Sequence, residues 1–338
     1  MLFKRLFFRA ACTLSFAFPI NSTCIKQIFP PQEDVETNFS QGDGFGSQFQ
    51  NIIAASIYAE LNNKTFLYTP FTAMEHNYEN NPNFIAQKEW LINFIGNFDI
   101  NPYPNIPIKN YKEFFDQNIQ VCAQSNTLQK IKAVFRANKR KENYFDSNYF
   151  NIAIHIRRSN PHDTRIDGTD VPNEVFRGII KALRIKYQTQ NVLFHIYSQG
   201  NATNFIMFEE PDIKLHLNET VEDTFPAMVL ADALVISASS FSYTAALLSN
   251  GDVYYIPFWH RALPHWKSIN ALLSPALMFA YRSDPLSFDV LLRDFLIEEE
   301  QILWELPLRR IYRSSLSEKD KWRKKCQLID SKKITHCY

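Results

Sequence analysis

The clearest pattern in the chain is an alternation of short apolar runs with longer segments whose apolar residues recur every three or four positions. The short runs predict strands, and the longer spacing predicts helices that bury one face. In the second half the predicted strands are 151–156, 192–197, 214–217, 233–237 and 253–256, and the predicted helices include one opened by Pro172 and those at 224–230 and 241–248. Strands that alternate with helices indicate an α/β fold with a mainly parallel sheet.

The first half is less regular. A glycine-rich turn at 42–46 precedes a predicted helix at 49–61 and a predicted strand at 65–68. A helix is predicted at 84–98, and the segment 118–138 is expected to hold a strand and then a helix. A polar, basic stretch at 139–148 is typical of a crossing between domains. We therefore expect an N-terminal α/β domain at 30–148 and a C-terminal Rossmann-like domain at 149–305, whose last helix is predicted at 288–303.

Both ends of the chain differ from this pattern. Basic residues followed by an apolar run at 10–20 resemble a secretory signal peptide or a signal anchor within residues 1–24, although an amphipathic first helix is an alternative. This predicts the secretory pathway or membrane association through the N-terminus, with the cytoplasm as the alternative. Residues 306–338 form a basic C-terminal extension, for which a solvated helix or tail is the simplest interpretation.

Composition adds two limits. The formal net charge is +1, so there is no electrostatic reason to expect a nucleic-acid partner. The five cysteines are Cys12, Cys24, Cys122, Cys326 and Cys337. If the first leaves with a leader, the remaining four permit two disulfides, and their spacing fits no zinc site. Neither observation decides the compartment.

The first segment with candidate chemistry is His155-Ile156-Arg157-Arg158, at the carboxyl end of a predicted strand. A diphosphate leaving group needs fixed positive charge, and the planar guanidinium fork matches phosphate oxygens in pairs. Adjacent arginines point in different directions, so we expect one to meet a phosphate and the other to brace the loop. The alternative is an ion-paired strand end with a core histidine.

The second segment lies where the strand at 233–237 runs into Ser239-Ser240-Phe241 and a helix. Hydroxyls and backbone N–H groups at a helix N-terminus form an anion site, although serines here also act as simple helix caps. Upstream, Asp223 is a candidate acceptor for the N–H donors of guanine.

The third segment is the glycine turn, with Asp43 between Gly42 and Gly44, followed by Gly46. Glycines here permit close backbone approach and positive φ at the start of a helix. A plain turn is the alternative, since a lone Gly-x-Gly-x-Gly is weak evidence of a site.

These three segments, in this order, resemble the motifs of fucosyltransferases that share a His-x-Arg-Arg or His-x-Arg sequence, namely the α1,2-, α1,6- (including nodulation-type) and protein O-fucosyltransferases. The resemblance implies a GT-B fold, in which two Rossmann-like domains face a cleft. It also implies inverting transfer of fucose from GDP-fucose to a hydroxyl of a carbohydrate or glycoprotein acceptor, without a metal or other cofactor. The absence of an Asp-x-Asp sequence agrees with this.

Carried over position by position, the resemblance makes Arg157 the arginine on the β-phosphate and Arg158 its neighbour. His155 becomes the histidine near the nucleotide, and Asp223 the guanine-reading aspartate. The remaining donor-binding positions are Ser239, Ser240 and Phe241 in the phosphate and base loop, and Gly44 and Gly46 in the glycine loop. Two departures are Ser47 and Asn160, where Asn and Asp are usual in the family.

The catalytic base is not evident in the sequence. Asp43 is the first candidate, followed by Asp163, Asp167 and Glu75. Two other functions stay open: transfer of another GDP-linked sugar, and a non-catalytic protein that binds glycans or nucleotides on a degenerate transferase fold. An α/β hydrolase is disfavoured because no Gly-x-Ser-x-Gly elbow occurs.

Overall fold

The computed structural model describes residues 34–39, 42–103, 109, 111–158, 171, 173–269 and 272. The predicted leader, the helix at 288–303, the basic extension and every cysteine except Cys122 lie outside these residues. Cys122 is a buried free thiol. Of the helices within the described ranges, none is long and apolar enough to span a bilayer.

The described elements follow one another in two groups. The first half contains β1 (Val35–Thr37), α1 (Phe45–Leu61), β2 (Thr65–Leu67), α2 (Phe84–Ile92), α3 (Tyr111–Gln117), α4 (Ile119–Cys122) and α5 (Asn126–Arg136). The second half contains β3 (Phe150–Ile156), α6 (Asn173–Lys186), β4 (Val192–Ser198), β5 (Ile213–Leu217), α7 (Val221–Leu230), β6 (Ala233–Ile236), α8 (Ser240–Leu248), β7 (Asp252–Tyr255) and β8 (Lys267–Ser268). Short 3₁₀ turns occur at Lys141–Asn143 and Ala202–Phe208.

The second half forms a six-stranded sheet in the order β5-β4-β3-β6-β7-β8, and every neighbouring pair is parallel. β1 and β2 form a separate parallel pair. The α/β class and the parallel sheet are therefore confirmed. The arrangement as two Rossmann-like domains facing a cleft, and the boundary between residues 148 and 149, stay predictions.

Most predicted elements of the second half agree with the structure to within a residue or two, although the helix predicted at 224–230 begins at Val221. The larger differences lie in the first half. The helix predicted at 84–98 ends at Ile92, because Asn93 adopts a left-handed conformation with φ of 60°. The strand predicted within 118–138 is wrong. Ile119 and Cys122 instead belong to a short helix and are buried in the core, since tertiary packing outweighs the weak local preference of a β-branched run.

Packing on the sheet explains how the two halves meet. Alternate residues of β3 point to opposite faces, so Ile152 and Ile154 join the core beneath α6 while Ala153 faces the other core. That other core contains both halves. Phe49 of α1, Phe135 of α5 and Phe225 of α7 form a triangle of rings with centroids 5.5 to 6.1 Å apart. The first half therefore packs directly on the layer formed by α7 and α8.

Cations on and just after α5 strengthen this contact by capping other helices. Each donates to a carbonyl at or near a helix C-terminus: Lys132 to Ser249, just after α8, at 3.0 Å, Arg136 to Val229 of α7 at 3.2 Å, and Lys139 to Leu91 of α2 at 2.8 Å. Helix C-termini carry unsatisfied carbonyls and partial negative charge, so these contacts are favourable. These contacts stabilise the packing of the first half on the second half.

Candidate functional site

Two of the three candidate segments meet because their strands are neighbours. β3 and β6 pair with Ile152 opposite Ala233 and Ile154 opposite Val235, so they end side by side at the carboxyl edge of the sheet. The hydroxyl of Ser237, just after β6, lies 2.8 Å from Nδ1 of His155. This hydrogen bond joins the His-x-Arg-Arg segment to the serine turn. Ligands of parallel sheets bind at this edge.

The third segment reaches the same place through Gly46. A Cβ added to this glycine would lie 2.4 Å from Cα and 2.6 Å from N of Phe241, closer than two such atoms can approach. The hydroxyl of Thr244 donates to the carbonyl of Gly46 at 2.8 Å. The first turns of α1 and α8 are therefore in backbone contact, which only glycine permits.

The glycines of this turn serve close approach and not an unusual backbone conformation. Gly42, Gly44 and Gly46 all lie outside the positive-φ region, so that part of the sequence prediction is wrong. An added Cβ on Gly44 would lie 2.9 Å from the ring of His76, whereas one on Gly42 would meet nothing within 4 Å. Gly46 is thus required by the backbone of its neighbour, whereas the ring near Gly44 belongs to an exposed side chain that can move aside.

Aromatic rings fill the junction of the three segments. Phe45 of the glycine turn lies 5.0 Å from Phe225 and 6.4 Å from Phe241, measured between ring centroids. Phe241 lies 5.4 Å from Phe225 and 5.6 Å from His155. Because Phe241 stays half-buried, it contributes to the core and also presents part of its ring at the edge of the sheet.

The two arginines have different environments. Arg158 donates to the carbonyl of Val171 at 2.9 Å and to the side-chain oxygen of Asn173, so it braces the start of α6 as expected for one of the pair. Arg157 is half-buried at the end of β3. Burial, and then the charges of Arg157 and Arg158, lower the pKa of His155 to about 3. The imidazole is therefore neutral at physiological pH and acts as a hydrogen-bonding group.

The serine turn is a capped helix N-terminus. The hydroxyl of Ser239 accepts from the N–H of Phe241 at 3.3 Å, and the N–H of Ser239 donates to the carbonyl of Ser237 at 2.7 Å. Ser240 is the first residue of α8 and is half-buried. The capping interpretation of Ser239 is correct, and it is compatible with anion binding, because the helix dipole and its remaining N–H groups still favour negative charge here.

Asp223 is exposed in the first turn of α7, at the same edge of the sheet. The hydroxyl of Thr220 donates to its carboxylate at 2.7 Å and accepts from its N–H at 3.2 Å, as in a helix cap. Burial, and then the charge of Asp223, raise the pKa of Tyr144. The carboxylate therefore combines a capping role with access to solvent. Beside it, Glu222 pairs with the buried Lys88 of α2 at 2.6 Å.

Asp43 belongs to an ordered network. One carboxylate oxygen accepts from the N–H of Gly44 at 2.7 Å, and the other accepts from the hydroxyl of Ser47. The ammonium of Lys112, on α3, donates to the same Ser47 hydroxyl at 2.6 Å, and burial lowers its pKa. Ser47, which departs from the Asn of the fucosyltransferase motif, thus links a carboxylate to an ammonium.

The other candidate bases divide into two groups. The N–H of Glu75 donates to the carbonyl of Asp43 at 3.2 Å, which brings this exposed residue to the glycine turn. Asp163 and Asp167 lie outside the described residues, as does Asn160.

Two histidines near these segments were missed by sequence reasoning. His76 packs its ring on Gly44 and has φ of 73°, which is strained for a histidine. His260, in the turn after β7, has Nδ1 2.8 Å from a carboxylate oxygen of Asp116 on α3. Asp116 and His260 are 144 positions apart, so no local pattern could have indicated the pair.

Comparisons with known proteins add only weak likenesses. No family model and no curated protein matches the sequence. Among solved structures, the NodZ α-1,6-fucosyltransferase soaked with GDP-fucose matches with 12% identity and a TM-score of 0.35 over 64% of this chain and 92% of its own. The selenomethionine form of fucosyltransferase NodZ from Bradyrhizobium matches with 13% identity and a TM-score of 0.36 over 64% and 91%. The E. coli heptosyltransferase WaaC with ADP-2-deoxy-2-fluoro heptose matches with 10% identity and a TM-score of 0.34 over 74% and 99%. Because these values are low, we draw no conclusion about function from them.

Proposed function

We propose that this chain is a glycosyltransferase that binds a nucleoside diphosphate sugar where the three segments meet. The observation that carries the proposal is the backbone contact of Gly46 with the Ser240-Phe241 turn, beside the hydrogen bond from His155 to Ser237. Segments from distant parts of the sequence are held together at the edge of a parallel sheet where ligands bind. Such a convergence is expected of a binding site, although it also contributes to the core through Phe45 and Phe225.

The chemistry of the junction suits a diphosphate. Arg157 supplies a fixed positive charge, and the N-terminus of α8 supplies backbone N–H groups with partial positive charge. As the bond to the sugar breaks, negative charge grows on the leaving phosphate, and groups already in place stabilise it without rearrangement. A neutral His155 adds a hydrogen-bonding group to the same edge. In this proposal transfer uses no metal ion or other cofactor.

The resemblance in the sequence favours GDP-fucose as the donor. In this proposal Asp223 accepts from the guanine N–H groups, the glycine turn approaches the donor, and Ser239, Ser240 and Phe241 contact phosphate and base. The acceptor is a carbohydrate or protein hydroxyl that attacks the anomeric carbon from the side opposite GDP. The product then has inverted configuration.

A panel of nucleotides and nucleotide sugars tests the proposal. A ligand that binds only the folded protein raises the apparent stability by about 2.7 kcal/mol at a concentration of 100 Kd. We expect GDP and GDP-fucose to raise the midpoint of thermal unfolding more than ADP, UDP or UDP-glucose do. A larger shift with another GDP-sugar would indicate that this sugar nucleotide, and not GDP-fucose, is the donor. Shifts without release of GDP over hours would indicate a binding protein.

A further inference from the structure

Asp116 and His260 form a carboxylate–imidazole pair beside the proposed donor site. One carboxylate oxygen lies 2.8 Å from Nδ1 of His260, and the other accepts from the N–H of Arg261 at 3.1 Å. The ring of Tyr243 packs against the imidazole at 4.9 Å between centroids, and the ring of Phe258 lies at 5.5 Å. The imidazole is therefore fixed by hydrogen bonds at one nitrogen and by rings around it.

The tautomer follows from the contacts of Nδ1. This nitrogen cannot donate to Asp116 and also accept from the amide of Gln50, which lies 3.2 Å away. The carboxylate is the stronger and closer acceptor, so Nδ1 carries the proton. When the amide nitrogen of Gln50 faces Nδ1, the buried amide oxygen has no hydrogen-bond partner. Exchanging the two atoms of the amide brings the oxygen to Nδ1, where it can accept. Nε2 is then the basic nitrogen.

Nε2 is also available. Within the described ranges, no hydrogen-bond partner occurs for this atom of His260, although the residue is nearly buried. A carboxylate that orients one imidazole nitrogen while the other faces a reactant is the arrangement by which a histidine accepts a proton in catalysis.

The position of the pair agrees with such a role. α1 and α8 touch at Gly46 and Phe241, and His260 contacts both helices within about one turn of that contact, through Gln50 and Tyr243. The turn that carries His260 follows β7, which lies next to β6 in the sheet. On α3, Asp116 is one turn after Lys112, which donates to Ser47 beside the glycine turn. The pair thus borders the site on the side of α1.

We propose that His260 is the base that accepts the proton of the incoming hydroxyl, with Asp116 as its positioning residue. This rests on the proposed function and deepens it. The hydroxyl oxygen forms a bond to the anomeric carbon, while the bond from that carbon to the phosphate oxygen breaks and its electron pair leaves with GDP. The hydroxyl proton passes to Nε2, and the Asp116 carboxylate stabilises the imidazolium. Asp43, the first candidate from the sequence, has both carboxylate oxygens already hydrogen-bonded.

The decisive measurement is release of GDP from GDP-fucose in water, since water replaces the unidentified acceptor. We expect His260→Gln to lower kcat by about 10²–10⁴ while GDP affinity and thermal unfolding change little. Azide is a nucleophile with no proton to remove, so it should restore release in His260→Gln. His265→Gln, an exposed histidine in the same turn, is the matched control and should keep its rate. Asp116→Asn should also be slow and be rescued by azide.

The pH profile of the wild-type protein gives a second test that needs no variant. With water as nucleophile the rate should fall toward acid pH, and with azide this acid limb should disappear. Other charged or titratable groups near the pair are Lys112, Cys122, Tyr243, Tyr255 and Arg261.

Three results would overturn the proposal. His260→Gln could keep its rate within about threefold of wild type, far less than the loss of a base causes. Azide could rescue Asp43→Asn and not His260→Gln, which would make Asp43 the base. If the wild-type protein neither binds GDP nor releases it from GDP-fucose, the proposed function itself fails, and this outcome is distinct from the first two.

Discussion

The two ends of α7 and α8 are built differently. Their C-terminal ends are closed by cations, since Arg136 donates to Val229 and Lys132 to Ser249. The N-terminal end of α8 instead meets a glycine and carries a serine cap. The protein thus neutralises the negative ends of these helices with its own charges, and the positive end of α8 is where we propose that an anion binds. Changes at the N-terminal ends should impair ligand binding and turnover, whereas changes at the C-terminal ends should impair stability.

Among the substitutions that test this comparison, removal of the Arg157 charge should have the largest effect. We expect Arg157→Ala to lower the rate of GDP release from GDP-fucose by about 10²–10³, the usual cost of losing one preorganised group on a leaving oxyanion. Arg157→Lys should also be slow, because a point charge does not replace the fork. Kinetics and thermal unfolding should be compared with Arg177→Ala, an exposed arginine of α6. Normal turnover by Arg157→Ala would contradict the site assignment.

Gly46→Ala tests whether ligand binding at the N-terminal end of α8 depends on the backbone contact with α1. The added methyl group would overlap the backbone of Phe241, so α1 and α8 must separate. We expect a loss of about 1–3 kcal/mol in the free energy of unfolding, as for other overpacked sites, together with weaker GDP binding. Gly42→Ala is the matched control, because its methyl group meets nothing within 4 Å. Equal stability of the two variants in urea denaturation would argue against the contact.

Two histidines on the sheet should make stability sensitive to acid. Burial is the main cause that lowers the pKa of His155 and of His195 to about 3 each. Between pH 6.5 and 3 the unfolded chain therefore binds more protons than the folded chain, and stability falls as pH falls. We expect a smaller decrease of the unfolding free energy between pH 7 and 4 in His195→Gln than in wild type. If the unfolding free energy of His195→Gln depends on pH as in wild type, His195 does not cause the loss of stability in acid.

Substitutions at the cation-capped C-terminal ends of α7 and α8 should lower stability without affecting activity. Arg136→Met removes the cation that caps α7 but keeps an apolar side chain of similar length, and should lower the free energy of unfolding by about 1–2 kcal/mol. Activity below the unfolding temperature should not change. Lys181→Met, on the exposed face of α6, is the control and should have no effect. A loss of turnover in the folded Arg136→Met protein would mean that the C-terminal ends of these helices affect activity as well as stability.

Local chemistry explains what could be predicted. The strands at 151–156 and 233–237 were recognised because apolar runs bury both faces of a parallel sheet, and the helix after Ser239 because a serine caps a helix through atoms two residues away. These features depend on neighbours in sequence or on the general geometry of α/β sheets.

Contacts between distant parts of the chain decided the rest. Only the fold shows that Gly46 is required by the approach of Phe241 and not by its own φ, and that Arg158 braces the start of α6. It alone brings Asp116 to His260 and the cations around α5 to the carbonyl ends of other helices. By itself, the sequence determined the class of the fold and the segments that are candidates for chemistry, because periodicity and capping act over a few residues. The tertiary structure decided which side chains meet, because that depends on packing between elements far apart in the chain.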